Sequence, residues 1–393
     1  MDKIVTDKQT AAEATTLAHV GPSGVPLRTR TVAPPLQRGS TVLLPDAASL
    51  YAADLPTYGM NSHAVHEALT DGVKALERAE HVELFTSGLA AVTGAISAVV
   101  EAGDEVLASD SVYGPTRRFC NGVLKRMGVA TRYFPPDATA EQILALAGPS
   151  TRLIYLESPG SLTFEMQDIP AIAAAARARG ILTAVDNTWA SGMLFRPVEH
   201  GVSLSIQALT KYVCGHSDVF LGSVATSDTA VARALAGFIR DTGASVSPDD
   251  AFQGLRGLRT LALRLQRHGE SGLTVAAWLA TQPEIQRVLH PALPADPGYA
   301  LWRRDFSGAA GLFGAVLKPT SPAKVEAFLN RLELFGLGFS WGGYESLAIH
   351  CDPQLRRDRP GVDLGGPLIR LNVGLEDPQD LIADLRRGLE GIA

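Results

Sequence analysis

Apolar and polar positions follow two different periods along the chain, which predicts alternating helices and strands. Residues 64–80 carry apolar side chains every three or four positions, a spacing typical of an amphipathic helix. Its apolar face consists of Val65, Leu69, Val73 and Leu76. Short apolar runs bounded by glycine or polar residues, such as residues 181–185, predict buried strands. Because these runs alternate with helical stretches from residue 64 to about 258, we expect an α/β fold with a mostly parallel sheet covered on both faces.

The pattern changes at both ends of the chain. Residues 1–62 show no strong periodicity, and prolines such as Pro34 and Pro45 interrupt any regular element. We therefore predict an extended arm that packs on something else. From about residue 259, one long amphipathic helix is followed by mixed strands and helices, which predicts a smaller α+β domain. The expected division is an arm at 1–62, a large domain at 63–258 and a C-terminal domain at 259–393.

A lysine near the middle of the chain is a candidate for chemistry. The stretch SIQALTKYVCGHSD begins as a short alternating strand and then places Thr210 and Lys211 in a loop rich in Gly, His, Ser and Asp. Reactive groups tend to lie on loops that a rigid scaffold holds. A partly buried lysine has a lowered pKa and can form an imine with an aldehyde. The ordinary alternative is a solvated surface lysine. The residues near Lys211 in the sequence distinguish between these two possibilities.

A carboxylate about twenty-five residues earlier favours a chemical role for Lys211. The apolar run at 181–185 ends in Asp186, which places this carboxylate at the carboxyl edge of a parallel sheet, where ligands of open α/β sheets bind. An Asp at one strand end and Lys211 just past the next match pyridoxal phosphate chemistry. The lysine carries the cofactor aldehyde, and the Asp keeps the ring nitrogen protonated.

Three stretches, LESPGSLTFE, VDNTWASG and SIQALTKYVCGHSD, resemble the Cys/Met-metabolism family of fold-type I pyridoxal-phosphate enzymes. The resemblance runs from about residue 50 to the C-terminus, and SWGGYES at 340–346 is similar to its bacterial cystathionine β-lyase branch. It implies pyridoxal 5'-phosphate as cofactor and β-elimination from a sulfur-containing amino acid, giving a thiol, pyruvate and ammonia. γ-Elimination or γ-replacement on a modified amino acid stays open, as does a non-catalytic homologue that binds the cofactor.

The Ser-Gly turn that precedes the helix at 88–100 is a candidate phosphate site. Free N–H groups and the dipole at a helix N-terminus favour an anion, so Gly88 and Leu89 are expected to hold the cofactor phosphate. The resemblance adds Thr210 to the cofactor-binding residues and implies that Lys211 is the general base. It also implies that Tyr113 stacks on the cofactor ring and takes part in catalysis.

The resemblance also assigns substrate contacts and a contribution from a neighbouring subunit. Arg370 is expected to bind the substrate α-carboxylate, and Ser340 and Trp341 to contact the substrate. Tyr58 is expected to reach the phosphate and substrate of the neighbouring subunit, which implies a homodimer or homotetramer. Met60 occupies the position of a family arginine that binds the same phosphate, and a methionine cannot replace a guanidinium there.

Composition narrows the class of protein further. The formal net charge is −6, which does not fit the basic face that a nucleic-acid partner needs. The three cysteines are far apart and form neither a metal-spacing motif nor a disulfide framework, which fits a reducing cytoplasm. The N-terminal residues lack the apolar core of a secretory signal, and the longest apolar stretches are too short to span a membrane. We therefore expect a cytoplasmic enzyme with a small-molecule substrate.

Overall fold

The computed structural model describes residues 12–20, 31–52, 55–60, 62–355, 357 and 363–392. The strands are β1 (His81–Phe85), β2 (Glu105–Ser109), β3 (Ala130–Phe134), β4 (Thr151–Glu157), β5 (Leu182–Asp186), β6 (Leu204–Gln207), β7 (Gly222–Thr226), β8 (Ile285–Leu289), β9 (Leu312–Leu317), β10 (Gly336–Leu337), β11 (Leu347–His350) and β12 (Leu368–Asn372). The α-helices are α1 (Glu13–Ala18), α2 (Ala64–Glu77), α3 (Gly88–Ser97), α4 (Gly114–Phe119), α5 (Ala140–Leu146), α6 (Ile169–Ala178), α7 (Thr229–Thr242), α8 (Pro248–Leu258), α9 (Leu261–Leu279), α10 (Tyr299–Asp305), α11 (Pro322–Asn330) and α12 (Pro378–Leu389).

Within the described residues, seven strands form the larger sheet in the order β1-β7-β6-β5-β4-β2-β3. Neighbouring strands are parallel except around β7, which runs antiparallel to both β1 and β6. The predicted mostly parallel α/β sheet is therefore confirmed. Because β5 and β6 are parallel neighbours, Asp186 at the end of β5 and Lys211 just past β6 emerge at the same edge.

Helices cover both faces of this sheet. One core includes α2, α5, α6 and α8, and the core on the other face includes α3 and α7. The apolar face predicted for α2 is confirmed, since its four side chains are fully buried.

The last residue of α2, Glu77, is buried, which the periodicity of apolar positions does not explain. The buried Glu77 carboxylate accepts hydrogen bonds from Ser205 Oγ at 3.0 Å and from Gln207 Nε2, both on β6, and burial raises the pKa of Glu77 to about 7.

A second, smaller sheet has the order β10-β11-β12-β9-β8. β10 and β11 are parallel, and the remaining pairs are antiparallel. α9, α11 and α12 pack on it and form a third core. β12 lies in the middle of the sheet and carries Arg370, whose register partners are Ile349 and Gly314. This arrangement agrees with the α+β pattern expected after residue 259, while the domain boundaries themselves stay a prediction.

The long amphipathic helix predicted at the start of this C-terminal part is confirmed as α9, and a short break separates it from α8. α8 ends at Leu258 and α9 begins at Leu261. The Gly257 carbonyl accepts from the guanidinium of Arg264 at 2.7 Å and from the Thr260 hydroxyl at 3.2 Å. The same guanidinium also donates to the carbonyls of Tyr212 and Val213, at 2.6 and 3.0 Å. These contacts tie the start of α9 to the loop that follows Lys211.

The N-terminal arm is more structured than expected. α1 forms within it, and Leu17 on this helix is 1% exposed in the core of the same chain. An ion pair between Glu13 and Arg196 fixes α1 further. The prediction of an arm without regular elements is therefore wrong at α1. The parts of the arm at 1–11, 21–30, 53–54 and 61 lie outside the described residues.

Candidate active site

A cavity of about 370 Å³ opens at the carboxyl edge of the larger sheet and is closed on one side by the smaller one. Residues predicted from the sequence line it, namely Gly88, Leu89, Tyr113, Asp186, Thr210, Lys211, Ser340, Trp341 and Arg370. Tyr58 is not among the residues that line the cavity of its own chain. It is half-exposed on the arm, where it forms an isolated β-bridge with Thr41.

Lys211 lies where the two sheets meet. Its Nζ donates a hydrogen bond to Ser340 Oγ at 2.9 Å and lies 5.3 Å from the centre of the Trp341 ring. Burial, with a further contribution from the positive charge of Arg370, lowers the pKa of Lys211 to about 8, while Asp186 acts in the opposite direction. A neutral amine is therefore accessible near neutral pH, and a neutral amine can act as a nucleophile or a base.

Asp186 is held by a tight turn. Its Oδ1 accepts from the backbone N of Thr188 at 3.1 Å and from Thr188 Oγ1 at 2.5 Å. Thr188 Oγ1 in turn accepts from the backbone N of Ala208 at 2.9 Å, which links the ends of β5 and β6. Burial raises the pKa of Asp186, whereas the Thr188 bonds and Lys211 oppose this rise. Thr188 was not identified from the sequence, although an Asp side chain commonly accepts a hydrogen bond from the backbone N–H two residues on.

The N-terminus of α3 also lines the cavity. Ser87 Oγ accepts from the backbone N of Ala90 at 3.1 Å and caps the helix. A Cβ on Gly88 would lie 2.3 Å from the Ala208 Cβ, so only glycine allows this approach of helix and strand end. A Cβ on Gly222 would similarly lie 2.3 Å from the Ser87 carbonyl oxygen. The helix N-terminus is thereby presented to the cavity, where its dipole favours an anion.

Thr210 also lines the cavity, but backbone groups of Leu221 engage its hydroxyl. Thr210 Oγ1 donates to the Leu221 carbonyl at 3.1 Å and accepts from the Leu221 N at 2.8 Å. These two bonds fasten the turn that carries Lys211 to the segment leading into β7. A contact of Thr210 with the cofactor stays a prediction, and its observed role is to hold this turn.

Arg370 and Tyr113 approach the cavity from different sheets. Arg370 Nη2 donates to the carbonyls of Phe339 and Ser340, at 2.6 and 3.1 Å, and burial lowers the pKa of this guanidinium. Tyr113 is 45% exposed at the cavity mouth, and its backbone N donates to Glu157 Oε2 at 2.6 Å. Burial, followed by the negative charges of Asp186 and Glu157, raises the pKa of the Tyr113 phenol.

Other cavity residues were not identified as site residues from the sequence. They share a position at strand ends or in loops that the fold brings together from distant parts of the chain. They include Glu157, Thr188, Trp189, Phe220 and Phe339. Phe220 and Phe339 are each 75% exposed, so they lie at the mouth. Single-residue patterns give no signal for such positions, because each is defined by its neighbours in space.

The cavity fits pyridoxal phosphate by the chemistry of its side chains. Three features face this cavity. They are a lysine of lowered pKa, a carboxylate that accepts two hydrogen bonds, and a helix N-terminus whose close packing requires a glycine. These groups match the aldehyde, ring nitrogen and phosphate of that cofactor. Lys211, Asp186, Gly88 and Leu89 are the residues that would hold it.

Comparison with known proteins agrees with this chemistry. Residues 14–390 match the family described as Cys/Met metabolism PLP-dependent enzyme. A putative cystathionine β-lyase from Rhizobium johnstonii is 46% identical over 385 residues, covering 97% of this chain and 96% of that protein. A cystathionine β-lyase from Bordetella avium is 42% identical over 392 residues, covering 96% of this chain and 98% of that protein.

A solved structure supports the same assignment at the level of the fold. The crystal structure of metB from Corynebacterium glutamicum has a TM-score of 0.90 and 29% sequence identity, covering 98% of this chain and 99% of that one. The resemblance seen in the sequence, the fold-type I architecture and the expected cofactor are thereby confirmed. The chain belongs to the Cys/Met metabolism family of pyridoxal-phosphate-dependent enzymes.

Proposed function

We propose that the protein is a carbon–sulfur β-lyase acting on a thioether amino acid of the cystathionine type, with a thiol, pyruvate and ammonia as products. The observation that carries the proposal is the contact of Lys211 Nζ with Ser340 Oγ in a cavity that also contains Asp186 and Arg370. Similarity to cystathionine β-lyases over nearly the whole chain supports this choice of reaction.

The proton transfers are assigned to Lys211. Pyridoxal phosphate, when bound, supplies an electron sink conjugated to the substrate α-carbon. The Lys211 amine, with a pKa near 8, takes the proton from that carbon as general base. Ser340 Oγ accepts a hydrogen bond from this amine and thereby fixes its direction. Trp341 covers one side of the amine and limits its access to water.

Binding and charge stabilisation are assigned to the residues around Lys211. Arg370 binds the substrate α-carboxylate through a charge-assisted pair and orients the α-carbon toward Lys211. Asp186, whose negative charge the two Thr188 bonds stabilise, favours a proton on the cofactor ring nitrogen. Tyr113 covers the cofactor ring from the mouth, where its aromatic face adds stacking.

The active unit in this proposal is at least a dimer. Tyr58 lies away from the cavity of its own chain and is half-exposed, which leaves it free to contact a second copy. The dimer has a test that is independent of chemistry, since dilution below the dissociation constant should reduce activity together with the sedimentation coefficient. Among the described residues, no helix combines the length and apolar character needed to cross a membrane.

Product analysis tests the proposed reaction. Cystathionine, cystine and a γ-substituted amino acid are each incubated with the holoenzyme, and the keto acids are separated by chromatography. β-Elimination gives pyruvate, whereas γ-elimination gives 2-oxobutyrate. Pyruvate from cystathionine is the expected result. Predominant 2-oxobutyrate would overturn the proposal in favour of a γ-lyase, and no keto acid from any of the three would indicate a binding protein.

A further inference from the structure

Glu157 lines the active-site cavity but has no role in the proposed mechanism. It is the last residue of β4, and its register partner on the parallel strand β5 is Asp186. Side chains at the same register of neighbouring strands project from the same face of a sheet. Both carboxyl groups also line the same cavity. The sheet therefore places two carboxyl groups side by side at the edge where the cofactor binds.

Ionising two neighbouring carboxylates in a poorly hydrated site has a high free-energy cost. Such a pair therefore retains one proton. The hydrogen bonds indicate which member retains it. Asp186 accepts two bonds from Thr188, and Lys211 lies in the same cavity. Among the described residues, the side chain of Glu157 accepts one bond, from the backbone N of Tyr113 at 2.6 Å. Asp186 is the better-stabilised anion of the two.

The other groups around Glu157 do not reverse this order. Burial and the charge of Asp186 raise the pKa of Glu157 well above its usual range, and the charge of Glu165 adds to this rise. The guanidinium of Arg357 lowers the pKa of Glu157 in part, but Arg357 is paired with Glu165 at 3.1 Å. Further ionisable groups near the pair are Tyr113, Tyr155, Lys211 and Arg370.

We propose that Glu157 is a positioning residue that stays protonated in the working enzyme, so that the pair carries a single negative charge located on Asp186, and that its carboxyl oxygen anchors the backbone of Tyr113 at the cavity mouth. The proposal rests on the proposed function, since it takes Asp186 as the group that faces the ring nitrogen. It adds a reason why Asp186 remains ionised, and it explains how Tyr113 is held although its side chain is half-exposed.

The protonation state is tested on the holoenzyme by infrared spectroscopy in the carbonyl region of protonated carboxylic acids, with the protein without cofactor measured in parallel. At pH 7, Glu157→Gln should remove one component of that band. Glu77→Gln should remove about half the intensity of a fully protonated carboxyl at this pH and serves as a positive control, because burial raises the pKa of Glu77 to about 7. Glu199→Gln, at a surface ion pair with Arg78, should leave the band unchanged. An unaltered band in Glu157→Gln would show that Glu157 is ionised and would overturn the proposal.

Kinetics of the holoenzyme test the positioning role. Glu157→Gln keeps an uncharged group that can accept from the Tyr113 N, so kcat and KM should remain within about threefold of the wild type. Glu157→Ala leaves this N–H without its acceptor and should raise KM by roughly ten- to hundredfold. If Glu157→Gln were as impaired as Glu157→Ala, a charged Glu157 would be needed and the inference would be wrong.

Failure of this inference is distinguishable from failure of the proposed function. The infrared result does not depend on turnover, and the identity of the keto acid does not depend on Glu157. A variant that fails to fold is recognised by circular dichroism, and Glu157→Gln is nearly isosteric with the wild-type side chain. If the products were those of γ-elimination while the carboxyl band behaved as expected, the pair would still hold one proton and only the reaction would need revision.

Discussion

Two polar regions lie at β6 and just beyond it. Both are largely buried, but only one of them is open to a ligand. At one of them, the neutral side chains of Ser205 and Gln207 donate hydrogen bonds to the Glu77 carboxylate inside the protein. At the other, the chain beyond β6 brings Lys211 into a cavity that a ligand can enter. Burial moves the pKa of both groups toward neutrality, to about 7 for Glu77 and about 8 for Lys211. A perturbed pKa by itself therefore indicates only that a group is buried. Function is indicated when the group also lies in an open cavity together with other reactive or charged side chains.

The largest effect that separates the two regions is expected from Lys211→Ala. Loss of both the cofactor linkage and the general base should lower kcat by at least roughly 10²–10⁴-fold. The absorbance of the bound cofactor should change in parallel, while thermal stability of the apoprotein should not fall. Lys125→Ala, at an exposed lysine, is the matched control. An unchanged spectrum in Lys211→Ala would contradict the site assignment.

Glu77→Gln should give the complementary result, a change in stability with little change in kcat. Glu77 has a pKa of about 7 in the folded state against an ordinary value of 4.5, so its proton stabilises the fold below pH 4.5. This contribution, about 3 kcal/mol, is lost as pH rises from 4.5 to 7. Urea unfolding at several pH values should show a flatter pH dependence for Glu77→Gln than for wild type. Equal slopes would mean that Glu77 is not protonated in the folded protein.

Arg370→Lys should reduce substrate binding more than it alters the fold. Lysine keeps the positive charge but loses the planar fork that matches a carboxylate. A lost charge-assisted bond corresponds to roughly ten- to hundredfold in KM. Steady-state kinetics with cystathionine measures the change, with Arg240→Lys at an exposed position as control. A normal KM combined with lower stability would mean that Arg370 serves only to hold Phe339 and Ser340.

Met60→Arg is expected to have the smallest effect. This substitution tests whether the N-terminal arm contacts the cofactor phosphate of a second copy. Met60 is 41% exposed and lies in a groove beside α2, where its carbonyl accepts from Ser245 Oγ at 3.3 Å. If the arm reaches the phosphate of a second copy, an added guanidinium should tighten pyridoxal phosphate binding by about tenfold. Equilibrium binding to the apoprotein measures it, with Met60→Leu as control. No change would mean that residue 60 does not face the phosphate.

The sequence predicted the features that depend on local pattern. The apolar face of α2 followed from periodicity, and the shared edge for Asp186 and Lys211 followed from reading the two stretches as parallel strand ends. The buried state of Glu77 could not be predicted, because a glutamate at the end of an amphipathic helix ordinarily faces solvent. Its partners Ser205 and Gln207 lie some 130 positions away.

The remaining misses have the same physical origin. Arg264 on α9 bonds carbonyls of the loop after Lys211 and of Gly257, and the periodicity that predicted α9 gives no signal for these tertiary contacts. α1 is only six residues long and is stabilised by burial of Leu17 and an ion pair to Arg196, which a search for periodicity does not detect. The pairing of Glu157 with Asp186 could not be predicted either, because it depends on β4 and β5 being neighbours in the sheet.

The hydrogen bond between Lys211 and Ser340 has a consequence for changing the substrate range by protein engineering. The serine belongs to the wall expected to meet the substrate, yet it also orients the reactive amine. A library that varies this wall to admit bulkier thioethers would therefore alter basicity and selectivity at once. Selection for a new substrate should enrich variants that retain a hydrogen-bond acceptor at residue 340, with changes concentrated at Phe339 and Phe220 on the exposed rim.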